Sequence, residues 1–132
     1  MSMTCVSVEL IGLRAALDLM ESAAYVKDTE GRYLFANKSV CNLFGRALAD
    51  IVGKDDSHFF DLQRSHELKD NDAHVMKGDE IVAHEERNII KATGAERIYL
   101  TVKMPLHDAL GSVVGMCGVS TDITNQPPRP NN

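Results

Sequence analysis

The sequence predicts an α+β domain: a five-stranded antiparallel sheet with short helices gathered on one face and an amphipathic helix ahead of it. Three observations carry this. Ile98, Leu100, Val102, Met104 and Leu106 alternate with Tyr99, Thr101, Lys103, Pro105 and His107, the period-two pattern of a strand with one buried face. After a turn at Asp108-Ala109-Leu110-Gly111, residues 112–121 run almost without charge, as a central strand does. At the other end, Val6, Leu10, Leu13, Leu17, Met20 and Ala24 recur at spacings of four and three, the seam of an amphipathic helix.

In chain order, that helix either lies on its own domain or shares its seam with a second subunit, since a spacing averaging three and a half suits both. Residues 24–27 and 32–36 read as short strands joined by Asp28-Thr29-Glu30-Gly31, where Gly31 can take positive φ. Asn37 caps a short helix with Val40, Cys41, Leu43 and Phe44 on its buried side and Gly45 at its end. Leu48, Ile51 and Val52 give one more turn, closed by Gly53, before a polar loop at 54–58. Asp61 is placed to cap a longer helix through Met76, stopped at Gly78. Its inner face is thin in apolar residues, so it is either a solvated rim helix or the wall of a cavity. Residues 81–90 form a strand with Glu85 and Glu86 in its middle; adjacent strand residues point to opposite faces, so the two carboxylates cannot serve one site. Beyond Asp122-Ile123-Thr124, the Pro-rich residues 125–132 cannot continue a sheet.

At 132 residues the chain suits one domain with a modest core. Its net charge of −5 argues against direct nucleic-acid contact, which needs clustered Lys and Arg. No apolar run approaches membrane-spanning length and the start lacks a basic signal region, so a cytoplasmic protein without membrane contact is expected. Cys5, Cys41 and Cys117 are odd in number and far apart, and read as free thiols in a reducing compartment. No nucleophile elbow, phosphate loop, dinucleotide fingerprint or zincin helix occurs. His66 and His74, eight apart on one predicted helix, are rotated by about 80° and make a poor metal pair. His58, His84 and His107 are scattered. The expectation is a non-enzyme with no metal site.

The run Tyr25-Val26-Lys27-Asp28-Thr29-Glu30-Gly31-Arg32-Tyr33-Leu34-Phe35-Ala36-Asn37 resembles the opening of a PAS domain. Phe44-Gly45, Ile51-Val52-Gly53-Lys54, Gly78, Gly94-Ala95-Glu96-Arg97 and Lys103-Met104-Pro105-Leu106 follow in matching order. Most specific is Gly115-Met116-Cys117-Gly118-Val119-Ser120-Thr121-Asp122-Ile123-Thr124, similar to that family's last strand and its Asp-Ile-Thr ending.

The resemblance implies a sensory or regulatory input module of a bacterial signalling protein. Residues 1–22 would be an N-terminal helix, 23–124 the PAS domain and 125–132 a linker to an output domain beyond residue 132. That output would be a histidine kinase, a diguanylate cyclase or a DNA-binding regulator. A small organic or carboxylate-like ligand would sit between sheet and helices; alternatively, the domain binds nothing and only dimerises and relays. The implied lining is Phe35, Phe60, Met76, Leu100, Val102, Met104, Val114, Met116, Gly118 and Ser120, with Gly118 leaving room for the ligand. Asp122 and Thr124 would pass the signal on. A homodimer would form through Val6, Leu10, Leu13, Leu17 and Met20. FMN is not expected, because the reactive-Cys helix of flavin-binding members is absent and Ser120 stands where they carry Gln. Haem is not expected either, with His66 or His74 as its sole conceivable ligand.

Overall fold

The computed structural model describes residues 5–125, with the side chains of Cys5, Val6, Val82 and Ala83 left aside. The Val6 side chain of the expected seam and residues 126–132 of the expected linker lie outside the described residues. Helix α1 (Cys5–Asp18) leads into strands β1 (Ala23–Asp28) and β2 (Tyr33–Ala36). Helices α2 (Lys38–Phe44) and α3 (Leu48–Ile51), a 3-10 turn (Asp56–His58) and α4 (His66–Met76) follow. Strands β3 (Ile81–Ile89), β4 (Glu96–His107) and β5 (Val113–Asp122) complete an antiparallel sheet ordered β2-β1-β5-β4-β3.

Two hairpins use one device. Asp28 Oδ1 accepts from the amides of Glu30 and Arg32, and Asp108 Oδ1 from those of Leu110 and Ser112. The glycine three residues after each Asp supplies the positive φ (Gly31 81°, Gly111 86°) that closes the turn. Asn37 caps α2 by accepting from Val40 N at 3.2 Å, and Gly45 ends it in the left-handed region.

Helix α1 is shorter than its periodicity predicts. It stops at Asp18, so Met20 lies beyond it and Ala24 belongs to β1. The stop is made by tertiary partners: Asn37 Nδ2 takes the Leu17 carbonyl at 2.8 Å, and Asp18 Oδ1 accepts from Lys38 N. Leu10 and Leu13 stay more than half exposed (51% and 56%), whereas Leu17 and Met20 are half-buried. Helix α4 also starts later than expected, at His66, because Asp61 closes a local turn instead, accepting from Gln63 N. The Ser65 hydroxyl meanwhile accepts from Ile89 N of β3.

The largest correction concerns which face of β4 looks inward. Tyr99, Thr101 and Lys103 are buried against the helices, while Val102 and Met104 are 38% and 43% exposed on the outer face and Leu100 is half-buried there. The apolar alternation is real, but it marks the outer face. A bulge at Val26/Lys27 does the same to Phe35: it pairs with outward Val26, Lys27 pairs with Tyr33, and Leu34 is left over. Phe35 is therefore buried outside the sheet, under the Arg14 guanidinium of α1 at 5.2 Å.

Candidate ligand cavity

The core between sheet and helices is aromatic on one side. Phe44 of α2 stacks on Phe59 at 4.2 Å and meets Phe60 edge-on at 5.3 Å, and Tyr33 lies edge-on to Tyr25, Phe44 and Phe59. Beside this cluster is a cavity of about 30 Å³ lined by Ala23, Tyr25, Tyr33, Val40, Leu43, Phe44, Phe60 and Leu68, with Lys27, Glu86, Asn88, Tyr99 and Ser120 as its polar rim.

The other side of the core is ionic, because strand parity turns charged residues inward. Lys27 and Lys103 are 1% and 0% exposed. Lys27 Nζ bonds Asp56, and Asp72 at 2.7 Å; Lys103 Nζ bonds Asp72 at 2.7 Å and Glu86 at 2.8 Å. Tyr33 Oη donates to Asp56, extending the chain to β2. Asn71 and Asn88 each donate an amide N–H to Glu86 at 2.9 Å. The result is one ladder, Tyr33–Asp56–Lys27–Asp72–Lys103–Glu86–Asn88, pinning α4 and the 3-10 turn onto four strands, β2, β1, β4 and β3. Burial opposes the charge on Lys27, but Asp56, Tyr33 and Asp72 outweigh it and hold the ammonium well above the ordinary lysine value. Burial would likewise push Asp72 up, yet Lys27 and Lys103 keep its carboxyl below the usual range. Asp56 goes the other way: burial raises it, with Asp72 adding to the push. Burial, then Asp56, hold the Tyr33 phenol well above its ordinary value, and burial, then Asp122, raise that of Tyr99. Both stay protonated at neutral pH.

Two buried polar atoms have no partner among the described residues, Asn88 Oδ1 and Tyr99 Oη, and both residues line the cavity. The hydroxyls of Tyr25, Ser120 and Thr101, by contrast, satisfy one another at 2.8 Å. Ala23, Leu43, Tyr99 and Ser120 also line a second, more open space of about 330 Å³, bounded by Glu21, Ser39, Asn42 and Asp122. This second space, the vestibule, lies beside the cavity at the exit of the last strand. There Thr124 N donates to Asp122 Oδ1 at 2.9 Å and Thr124 Oγ1 accepts from Ile98 N at 2.9 Å. Ile123 N bonds Ile98 O at 2.8 Å, and Arg97 lies 3.6 Å from Asp122. The exit is thus clamped to the segment of β4 that carries Tyr99.

Of the residues expected to line a site, Phe60 and Ser120 line the cavity. Met116 is fully buried in the core, and Met76 packs half-buried against it. Leu100, Val102, Met104 and Phe35 belong to the outer face, and Val114 is 49% exposed near the start of β5. Gly118 opens no space: a Cβ there would meet the Tyr25 ring at 2.6 Å, so Tyr25 occupies the room a ligand was expected to take. The ladder residues and Tyr99 were missed. Their signal is present in the sequence as charged residues in mid-strand (Lys27, Glu86, Lys103), at positions where a solvated face is the simpler reading. All five histidines are exposed, and no group of His, Cys, Asp and Glu among the described residues is placed to hold a metal ion.

Comparison with known proteins identifies this architecture. A family model described as PAS fold matches residues 17–127. The chain belongs to the PAS-fold family. Within it, the chain is 41% identical over 102 residues to a diguanylate cyclase of Vibrio cholerae, covering 76% of this chain and 32% of that protein. It is 29% identical over 112 residues to the methanogenesis regulatory histidine kinase FilI of Methanothrix harundinacea, covering 85% of this chain and 12% of that one. This PAS-fold chain therefore spans a third or less of the length of either relative. Among solved structures, a Vibrio cholerae VqmA–ligand–DNA complex superposes with a TM-score of 0.70 at 20% identity, over 94% of this chain and 53% of that one. No described helix is long and apolar enough to cross a membrane.

Proposed function

We propose that this PAS-fold chain is a cytoplasmic sensory input module. It binds a small organic molecule in the cavity between sheet and helices and relays occupancy through Asp122-Ile123-Thr124 to an output domain beyond residue 132. The observation that carries this reading is the pair of unpartnered polar atoms, Asn88 Oδ1 and Tyr99 Oη, in residues that line an otherwise aromatic cavity. Both atoms call for a bound partner that the fold itself does not supply. Tyr99 also borders the vestibule together with Asp122, so the candidate ligand site and the candidate exit share a wall. A diguanylate cyclase or histidine kinase output fits the two relatives, and a DNA-binding output fits the VqmA complex.

The second reading, a domain that only dimerises and relays, is favoured by the cavity's size: about 30 Å³ has room for one or two waters and not for an ordinary ligand. Either way the protein is read as a homodimer, with Leu10 and Leu13 of α1 and the apolar outer face of β4 and β5 as the surface between copies. The two readings separate by equilibrium dialysis of the chain against a small-molecule extract of its source cells, with Ala23→Leu as the blocked control. Enrichment of one compound by the natural chain and not by the variant supports the sensor. Absence of enrichment, or equal enrichment by both, supports the ligand-free relay.

A further inference from the structure

We propose that the cavity selects an uncharged, ring-sized molecule carrying an N–H or O–H donor for Asn88 Oδ1 beside an acceptor for Tyr99 Oη, and that it rejects carboxylates. The inference rests on the reading of the cavity as a ligand site and adds the chemistry of the occupant.

The donor requirement comes from Glu86. Its two oxygens accept from Asn71, Asn88 and Lys103, which fixes the carboxylate in place. Asn88 must therefore turn Nδ2 toward Glu86, because the flipped amide would set oxygen against carboxylate. Oδ1 is left on the other side as an obligate acceptor, in a residue only 2% exposed, with no donor among the described residues. The acceptor requirement comes from Tyr99, 5% exposed, whose hydroxyl is likewise unpartnered. In the register of β3 and β4, Glu86 faces Tyr99 and Asn88 faces Arg97. Asn88 and Tyr99 are thus diagonal neighbours on one face, within reach of a single small molecule. A molecule that donates to Asn88 Oδ1 and accepts from the Tyr99 hydroxyl with an adjacent group satisfies both at once.

The charge requirement follows from the ladder. Two lysines stand among three carboxylates, and both ammonium groups already hold two carboxylates each. With Lys27 on the same lining already holding Asp56 and Asp72, an anion entering the cavity would meet Glu86 on its wall. It would also bring no donor for Asn88. The rest of the cavity lining, Phe44, Phe60 and Tyr25 foremost, is aromatic and would solvate no charge on the group that enters it. The cavity of about 30 Å³ takes only the polar end of such a molecule, and the ring is assigned to the more open space of about 330 Å³, whose lining shares Ala23, Leu43, Tyr99 and Ser120 with the cavity.

Three single-ring probes of similar size test this: benzamide, benzoate and toluene. Each is titrated into the full chain, and affinity is read from the amide shifts of Ala23, Asn88 and Ser120. The expected result is benzamide binding about tenfold or more tighter than toluene, with benzoate not binding. Tyr99→Phe loses a hydroxyl that bonds nothing in the fold, so it should fold normally, weaken benzamide and leave toluene unchanged. Toluene binding as well as benzamide, benzoate competing with benzamide, or a benzamide preference untouched by Tyr99→Phe would each overturn the proposed selectivity while sparing the cavity as a site. Absence of binding by any probe would overturn both, leaving Asn88 and Tyr99 to bound water.

Discussion

Asn37 joins three elements from one position. Its Oδ1 accepts from Ala24 N and Val40 N, and its Nδ2 donates to Leu17 O and Ser22 O, so all four side-chain bonding positions are used. Being fully buried, it joins the end of α1, the start of β1 and the first turn of α2. Asn37→Ala strands four backbone groups, and the expected loss is about 2–4 kcal/mol, read from urea unfolding. A loss below about 1 kcal/mol would mean the site relaxes around water and the junction is loose. The capping role of this residue was legible in the sequence, since an Asn between a strand and a short apolar helix ending in Gly has few other uses. Its second role, holding the end of α1, was not. That bond joins segments 20 residues apart, and local pattern carries no sign of it.

At the scale of elements, the strands and both Asp-initiated turns could be read from period two and turn chemistry, but the facing of β4 could not. Hydrophobic alternation says that a strand has two unlike faces; only tertiary structure says which one is inside. Here the inner face of β4 carries Lys103 because α4 presents Asp72 to it, and Thr101 because Ser120 of β5 bonds its hydroxyl, and the apolar face is turned out. The thin apolar face of α4 and the charged residues in mid-strand were two halves of one feature. The ladder they form should make this domain alkali-tolerant. Lys27 and Lys103 titrate above their unfolded values, so their contribution is complete below about pH 10 and is lost only as pH rises through the higher folded values. On the acid side the two carboxylates act oppositely. Asp56, raised, takes up a proton in the fold before the unfolded chain would, and stability gains slightly as pH falls into that window. Asp72, lowered, holds its contribution until pH falls through its depressed folded value. The melting temperature should therefore be level from neutral pH to about pH 10 and drop only in strong acid or beyond the lysine range. Lys27→Met, which leaves Asp56 and Asp72 facing each other, should cost about 3–5 kcal/mol. A melting temperature that declines between pH 8 and pH 10 would contradict the raised lysine values, and a harmless Lys27→Met would show that the ladder contributes no stability.

For the whole molecule, the reversed β4 has a consequence. Val102, Met104 and Val119 on the outer sheet face, with Val8, Leu10, Ile11 and Leu13 on α1, leave much apolar surface uncovered by the described residues. A second copy meeting the same surface across a two-fold axis would cover it. Because Asn37 depends on the end of α1, deleting residues 1–22 would damage the fold as well as the interface, and the cleaner test is Leu10→Glu with Leu13→Glu. These side chains are exposed in the single chain, so sedimentation should find a folded monomer in place of a dimer. A dimer that persists, or a natural chain that sediments as a monomer, would refute the interface. The central claim is that occupancy of the cavity is felt at the exit, and amide hydrogen exchange tests it most directly. Ile98, Ile123 and Thr124 donate their amides to the clamp that holds the end of β5 on β4, next to Tyr99. Adding the compound enriched by dialysis should change exchange at these three amides severalfold in the natural chain and leave the Ala23→Leu variant unchanged. Exchange that responds only at residues lining the cavity, with the three exit amides unmoved, would contradict it.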